Sequence, residues 1–172
     1  MASLMETLID TLDKENSEYK ILIELSREKT PILIKGDLEA LNKITEKEQE
    51  VVARIQKLEK TRMLAMKDIA EVTNSNAEEL KLQDLIKMMS GRPKERDALT
   101  RLHDELKTTL RNMELINDQN RDLIKSSLEM VEFEMNMLQS MRMAPETADY
   151  NRDAYNTGSI MGSGTKRFDS RS

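Results

Sequence analysis

The hydrophobic positions of the first 72 residues predict two long helices joined by a short turn. The first helix is expected from about Ser3 to Lys35, because five apolar residues recur at a period near 3.6, with Glu15 at the one position that lacks an apolar side chain. These apolar residues are Leu4, Leu8, Leu12, Tyr19 and Leu22. Pro31 is expected to disturb the last turn, because proline lacks a backbone N–H.

Gly36-Asp37 is the clearest turn signal in the chain. Glycine can adopt the left-handed conformation that ends a helix, and aspartate can cap the next helix. The second helix is expected from Leu38 to Val72. Its seam has heptad spacing and consists of Leu41, Ile44, Glu48, Val51, Ile55, Leu58, Arg62, Ala65 and Ile69. Two residues between long helices predict an antiparallel hairpin.

A short helix and a long one follow. The residues 73–76 break the pattern, and Asn76 with Glu79 resembles a capping pair for a helix from Ala77 to Met89. Pro93 suits the first turn of a last helix, which is expected to reach Met143.

The last helix carries two apolar stripes. The first runs its whole length and contains Leu99, Leu102, Leu106, Leu110, Met113, Asn117, Asn120, Ile124, Leu128, Val131, Met135 and Leu138. The second lies only in the distal half and contains Ile116, Leu123, Met130, Phe133, Met137 and Met141. We therefore expect the first stripe to be buried against the two preceding helices and the second to be available to a partner.

The predicted fold is all-α. A long antiparallel helical hairpin and a long C-terminal helix form a coiled-coil-like bundle, with a short extra helix. Residues 1–143 are the helical bundle domain. Ala144-Pro145 is expected to stop the last helix, and residues 144–172 are rich in small and polar residues without periodicity, which predicts a disordered tail.

Composition supports this fold and excludes several functions. Charged residues make up 34% of the chain, and only five residues are aromatic, five are glycine and three are proline. A net charge of −5 with alternating signs disfavours nucleic acid as a partner. There is no cysteine, which excludes disulfides and thiolate chemistry but does not constrain the redox compartment. There is no signal-peptide pattern and no apolar run long enough to cross a membrane, so a cytoplasmic location is expected.

Catalytic chemistry is hard to find in this sequence. His103 is the single histidine, and Thr100 stands where a Glu-x-x-His metal motif would need glutamate. His103 is expected at a surface or boundary position, and no enzyme activity, metal or cofactor is predicted.

Polar residues interrupt the apolar seams at Glu48, Arg62, Asn117, Asn120 and Ser127. One interpretation is that buried polar pairs fix the register of the helices. The alternative is a groove left partly open for a partner helix. Register control is the preferred interpretation.

Methionine points to a binding surface near the end of the last helix. Five of the 13 methionines lie between Met130 and Met143. Because methionine side chains are flexible, such a surface can repack around different apolar partners. The candidate partner-binding residues are Leu123, Met130, Phe133, Met137, Met141, Tyr150 and Tyr155.

Several short segments resemble the FlgN family of flagellar export chaperones. They are Glu15, Tyr19, Leu22 and Lys29, then Gly36-Asp37-Leu38, Leu41, Ile44, Glu48-Gln49, Leu58-Glu59, Asn117, Asn120, Leu123-Ile124, Ser127-Leu128 and Tyr155-Asn156-Thr157-Gly158. The resemblance implies a cytoplasmic chaperone for type III flagellar export. Such a protein binds hook-associated proteins through its C-terminal region, prevents their premature assembly and delivers them to the export gate, a membrane protein.

Two other functions are compatible with parts of this pattern. A self-associating structural coiled-coil or adaptor protein would use the same stripe to form a homodimer. A helix that binds anionic lipid needs a basic polar face, and Glu129, Glu132 and Glu134 argue against it.

Overall fold

The described part of the chain forms four α-helices. The computed structural model describes the backbone of residues 2–165 and the side chains of residues 4–142. The helices are α1 (Ala2–Lys35), α2 (Leu38–Val72), α3 (Leu82–Met88) and α4 (Pro93–Thr165), and a 3₁₀ turn, Met89–Gly91, follows α3. Within the described backbone there is no β-strand. The all-α prediction is confirmed.

The turn between α1 and α2 has the conformation that its two residues predict. Gly36 has a φ of +70°, and its amide donates to the carbonyl of Ile32 at 3.0 Å, which closes α1. The Asp37 carboxylate accepts the amide of Ala40 at 3.0 Å and caps α2. Pro31 lies inside α1, which continues to Lys35.

Side-chain pairs establish how α1, α2 and α4 run. Along α1, Glu15 pairs with Arg62 of α2 and Lys29 pairs with Glu48, so the partner number falls as the α1 number rises. These two helices are therefore antiparallel, as predicted. The residues of α4 that bond to α1 lie 89 to 94 positions further along the chain, so α4 runs parallel to α1.

The predicted start of the short helix was wrong. It was expected at Ala77, but α3 begins at Leu82. Asn76 caps only one turn, in which its side-chain oxygen accepts the amide of Glu78 at 3.2 Å. Further along the chain, the Asp84 carboxylate accepts the amide of Lys81 at 3.2 Å, and this second cap marks the beginning of α3. The prediction that α4 begins at Pro93 is confirmed.

The chain divides into two compact units, Met1–Ile124 and Lys125–Ser172. The main core of the first unit lies where the start of α1, the end of α2, α3 and the start of α4 meet. Its buried members are Met5, Leu8, Leu12, Ala65, Ile69, Leu85, Met89, Leu99, Leu102 and Leu106. Further along α1 and α4, hydrogen bonds between polar side chains join these two helices.

The second unit contains the rest of α4. The helix continues past Met143, where the predicted helix ended, and its last residue is Thr165. The side chains of residues 143–172 and the backbone of residues 166–172 lie outside the described part. The division into a helical domain at 1–143 and a disordered tail at 144–172 therefore stays a prediction.

Candidate interaction surface on α4

Four of the predicted partner-binding residues lie together on the second unit. Met130, Phe133, Met137 and Met141 are each between 52% and 64% exposed. Their spacing of three and four residues places them on one face of α4. The structure thus brings these four side chains into one exposed apolar stripe.

The other three predicted residues are placed differently. Leu123 belongs to the first unit and is partly buried, so it is not one of the exposed apolar residues of the second unit. Tyr150 and Tyr155 fall within the backbone of α4, but their side chains lie outside the described residues. A role for either tyrosine stays a prediction.

The expectation that the first stripe is buried along its whole length was wrong. Leu99, Leu102 and Leu106 are buried, but the later members of the stripe, from Ile124 onward, are exposed. The distal members Leu128, Val131, Met135 and Leu138 are 51% to 65% exposed.

The buried members Leu99, Leu102 and Leu106 belong to the first unit, and the members from Leu128 onward belong to the second. A signal for this exposure was present in the sequence, because a hairpin with arms of about 35 residues is too short to cover the longer predicted last helix.

The charges within the exposed surface have one sign, and those at its two ends have the other. Between Leu128 and Met141 the charged residues are Glu129, Glu132 and Glu134, and Lys125 and Arg142 flank this stretch. All three carboxylates belong to the same stretch as eight exposed apolar side chains. The surface therefore favours a partner that is apolar on one face and basic at the edges of that face.

The polar residues of the seams pair inside the first unit. Glu48 accepts a hydrogen bond from Nζ of Lys29 at 2.9 Å. Asn120 is 5% exposed; its amide donates to the carbonyl of Ser26 at 2.9 Å and its oxygen accepts the Thr30 hydroxyl at 2.7 Å. These specific pairs agree with register control, and Glu48 and Asn120 also line an open cleft.

A second polar cluster joins α1 to α2. Nε of Arg62 donates to Glu15 at 3.2 Å, and the Tyr19 hydroxyl donates to Glu59 at 3.2 Å. Burial raises the pKa of Glu15 above its ordinary value of 4.5, against the opposing effect of the Arg62 charge. Burial and the neighbouring Glu59 carboxylate raise the pKa of Tyr19 to about 12.

Asn117 and Ser127 do not belong to these buried pairs. Asn117 is exposed, and with Asn120 and Glu48 it lines an open cleft between α1, α2 and α4 of the first unit. Ser127 is exposed and makes an interaction of its own. The register interpretation therefore applies to Glu48, Arg62 and Asn120.

The described residues offer little catalytic chemistry. His103 is at a boundary position, as expected, and its Nδ1 lies 3.1 Å from a carboxylate oxygen of Asp104. Among the described residues no group of His, Cys, Asp and Glu has the arrangement to hold a metal ion. Within the same part of the chain, no helix has the length and apolar character that a membrane span requires.

The family model described as FlgN protein matches residues 1–157 of this chain. The chain belongs to the FlgN family. This is a family of flagellar chaperones and is not known as a family of enzymes. The match includes the exposed part of α4 as well as Tyr150 and Tyr155.

A relative from Bacillus subtilis (strain 168), described as "Uncharacterized protein YvyG", is similar to this member of the FlgN family. It is 26% identical over 133 residues, which cover 77% of this chain and 79% of the relative. No solved structure matches the chain.

Proposed function

We propose that this protein is a cytoplasmic flagellar export chaperone whose clients are the hook-associated proteins of the hook–filament junction. It binds a client, prevents its premature assembly and delivers it to the export gate. Membership of the FlgN family supports the general role. The observation that carries the assignment of the binding surface is the row of exposed apolar side chains on the second unit.

The size of this surface supports a binding role. Eight apolar side chains that are each about half exposed present roughly several hundred Å² of apolar area, the size of an apolar patch that often marks an interaction site on a monomer. Helix-in-groove binding uses such anchors at spacings of three and four residues. A client helix that packs on part of this surface has its own apolar face covered, and that face is then unable to pair with another client molecule.

Methionine suits a chaperone that must hold more than one client. Four of the eight side chains are methionines, at positions 130, 135, 137 and 141. Their flexible thioether chains adapt to apolar faces of different shape. Phe133 provides a rigid, larger anchor in the same stripe. The proposal extends to Tyr150 and Tyr155 as additional contacts.

Calorimetric titration of the full chain with each purified hook-associated protein tests the proposal. The variant with Phe133→Asp and Met137→Asp is expected to bind about 100-fold more weakly or not measurably, because charges replace two apolar anchors that the client would bury. A matched control carries Met63→Asp and Leu64→Asp on α2, where both side chains are equally exposed. The control is expected to bind like the natural protein.

Unchanged affinity in the Phe133 and Met137 variant, with helicity retained, would contradict the assignment of client binding to this surface. A chain truncated after Met143 then measures the contribution of Tyr150 and Tyr155. The competing function, a self-associating coiled-coil protein, predicts a concentration-dependent dimer and no client binding. Light scattering over a dilution series separates these two functions.

A further inference from the structure

The exposed part of α4 has two apolar seams rather than one. Seam A consists of Leu128, Val131, Met135 and Leu138, and seam B consists of Met130, Phe133, Met137 and Met141. Each advances in steps of three and four residues, which is the spacing of a helix that packs against another helix. At 100° per residue, the centres of the two seams lie about 130° apart around the helix axis.

One partner helix is too narrow to cover both seams. A helix that packs on one neighbour buries an apolar stripe about 100° wide. Seams A and B together span an arc of about 220° at 100° per residue. The remainder of the helix surface is polar, with Glu129, Glu132 and Asn136 on it. Covering the whole apolar arc therefore requires a helix on each seam.

The three carboxylates lie where the edges of two partner helices would be. On the helical wheel Glu134 falls between the seams, Glu129 falls beside seam B and Glu132 beside seam A. These are the flanking positions at which coiled coils place charges that select the partner. A second copy of this chain would bring carboxylates against carboxylates, which disfavours self-association through either seam.

We infer that this segment binds two amphipathic helices of one client at the same time, one on seam A and one on seam B, with Lys or Arg at the edges of both. The inference rests on the proposed function, which supplies the clients. To the proposed function, the inference adds the number of client helices bound and the basic charge at their edges. The expected complex is a three-helix assembly around α4, with a basic side chain of the client against Glu134.

Two double variants test the seams separately in the full chain. Met135→Gln with Leu138→Gln alters seam A, and Met130→Gln with Met137→Gln alters seam B. Glutamine has nearly the length of methionine and similar helix propensity, and it adds no charge, so helicity and electrostatics are preserved. Met63→Gln with Leu64→Gln on α2 is the matched control, and circular dichroism verifies the helicity of each variant.

Titration with the purified hook-associated proteins is expected to show a loss of affinity of about tenfold or more for each seam variant, because each removes two apolar contacts. The control is expected to show no loss. Loss in one seam variant alone would overturn the two-helix inference and leave the proposed function intact. No loss in either seam variant would contradict the proposed binding surface itself.

A crosslinking experiment identifies what each seam touches. The chain has no cysteine, so Met137→Cys and Leu138→Cys each provide a single attachment point for a thiol-linked photocrosslinker. After illumination of the complex, the two probes are expected to capture two different helical segments of the client. Capture of the same segment by both would overturn the inference, and so would capture of a second copy of this chain.

The charge of the partner is tested at Glu134. Glu134→Lys is expected to weaken client binding about tenfold or more, because it places like charges together in the interface. Equal or tighter client binding by this variant would overturn the basic-edged partner. Glu134→Gln is expected to lose less affinity than Glu134→Lys and to reduce the dependence of binding on salt.

Discussion

Replacing Arg62 with methionine is expected to destabilise the first unit at neutral pH. The Glu15 carboxylate is 3% exposed, and Arg62 Nε donates to it at 3.2 Å. Arg62→Met keeps a long apolar stem at this position and removes the positive charge. The variant would leave a buried carboxylate without its cationic partner.

The size of the expected loss in unfolding free energy depends on how deeply each partner of the Glu15–Arg62 ion pair is buried. Removing one partner of a fully buried ion pair costs about 3–5 kcal/mol. The Arg62 side chain is 42% exposed, so solvent screens its interaction and the loss should be smaller. We expect a decrease of about 2 kcal/mol in the free energy of unfolding, measured by urea denaturation followed by circular dichroism.

The dependence of this loss on pH identifies its cause. The pKa of Glu15 in the folded protein lies above its ordinary value of 4.5, and removing the Arg62 charge raises this pKa further. A group with a raised pKa in the folded state contributes stability below its unfolded pKa and loses that contribution as pH rises through the folded pKa. The deficit of Arg62→Met relative to the natural protein should therefore shrink in mild acid.

A second substitution provides the control. Glu15→Gln combined with Arg62→Met removes the unpaired charge, so it should recover most of the lost stability at neutral pH. The difference between this double variant and Arg62→Met should also shrink in mild acid. The reasoning would be refuted by an Arg62→Met protein as stable as the natural one at neutral pH, or by a deficit that is the same at both pH values.

Two further substitutions test the turn and the contact between α1 and α4. Gly36→Ala should lower the free energy of unfolding by about 1 kcal/mol, because φ is +70° there while the space around an added Cβ is open. A stability equal to that of the natural protein in urea denaturation would contradict this. Asn120→Ala should lower it by about 1 kcal/mol through loss of the bonds to Ser26 and Thr30, and no change would indicate that these bonds do not stabilise the native register.

The helices and their turn could be predicted because their signals are local. Gly36 and Asp37 act on backbone groups within four residues of themselves, so the end of α1 and the start of α2 required no knowledge of the rest of the fold. The start of α3 could not be predicted in the same way. Two local caps, at Asn76 and at Asp84, are both formed in the structure, and only the later one begins the helix.

The exposed side chains of the candidate site were only partly predictable. Periodicity identified the residues of both seams, because the positions that share a helix face follow from 100° per residue. It gave no information about which face is covered. The hypothesis that the first stripe is buried was wrong for its distal part, since Leu138 and its neighbours are as exposed as Met137 on the second stripe.

The sequence by itself therefore determined that the fold is all-α, where the first two helices turn and which side chains share a face. The tertiary structure decided which of those faces are covered. An apolar stripe has the same spacing whether or not another helix lies against it, so burial depends on the length and register of its neighbours. In this protein the first stripe is buried at Leu99, Leu102 and Leu106 and exposed from Leu128 onward.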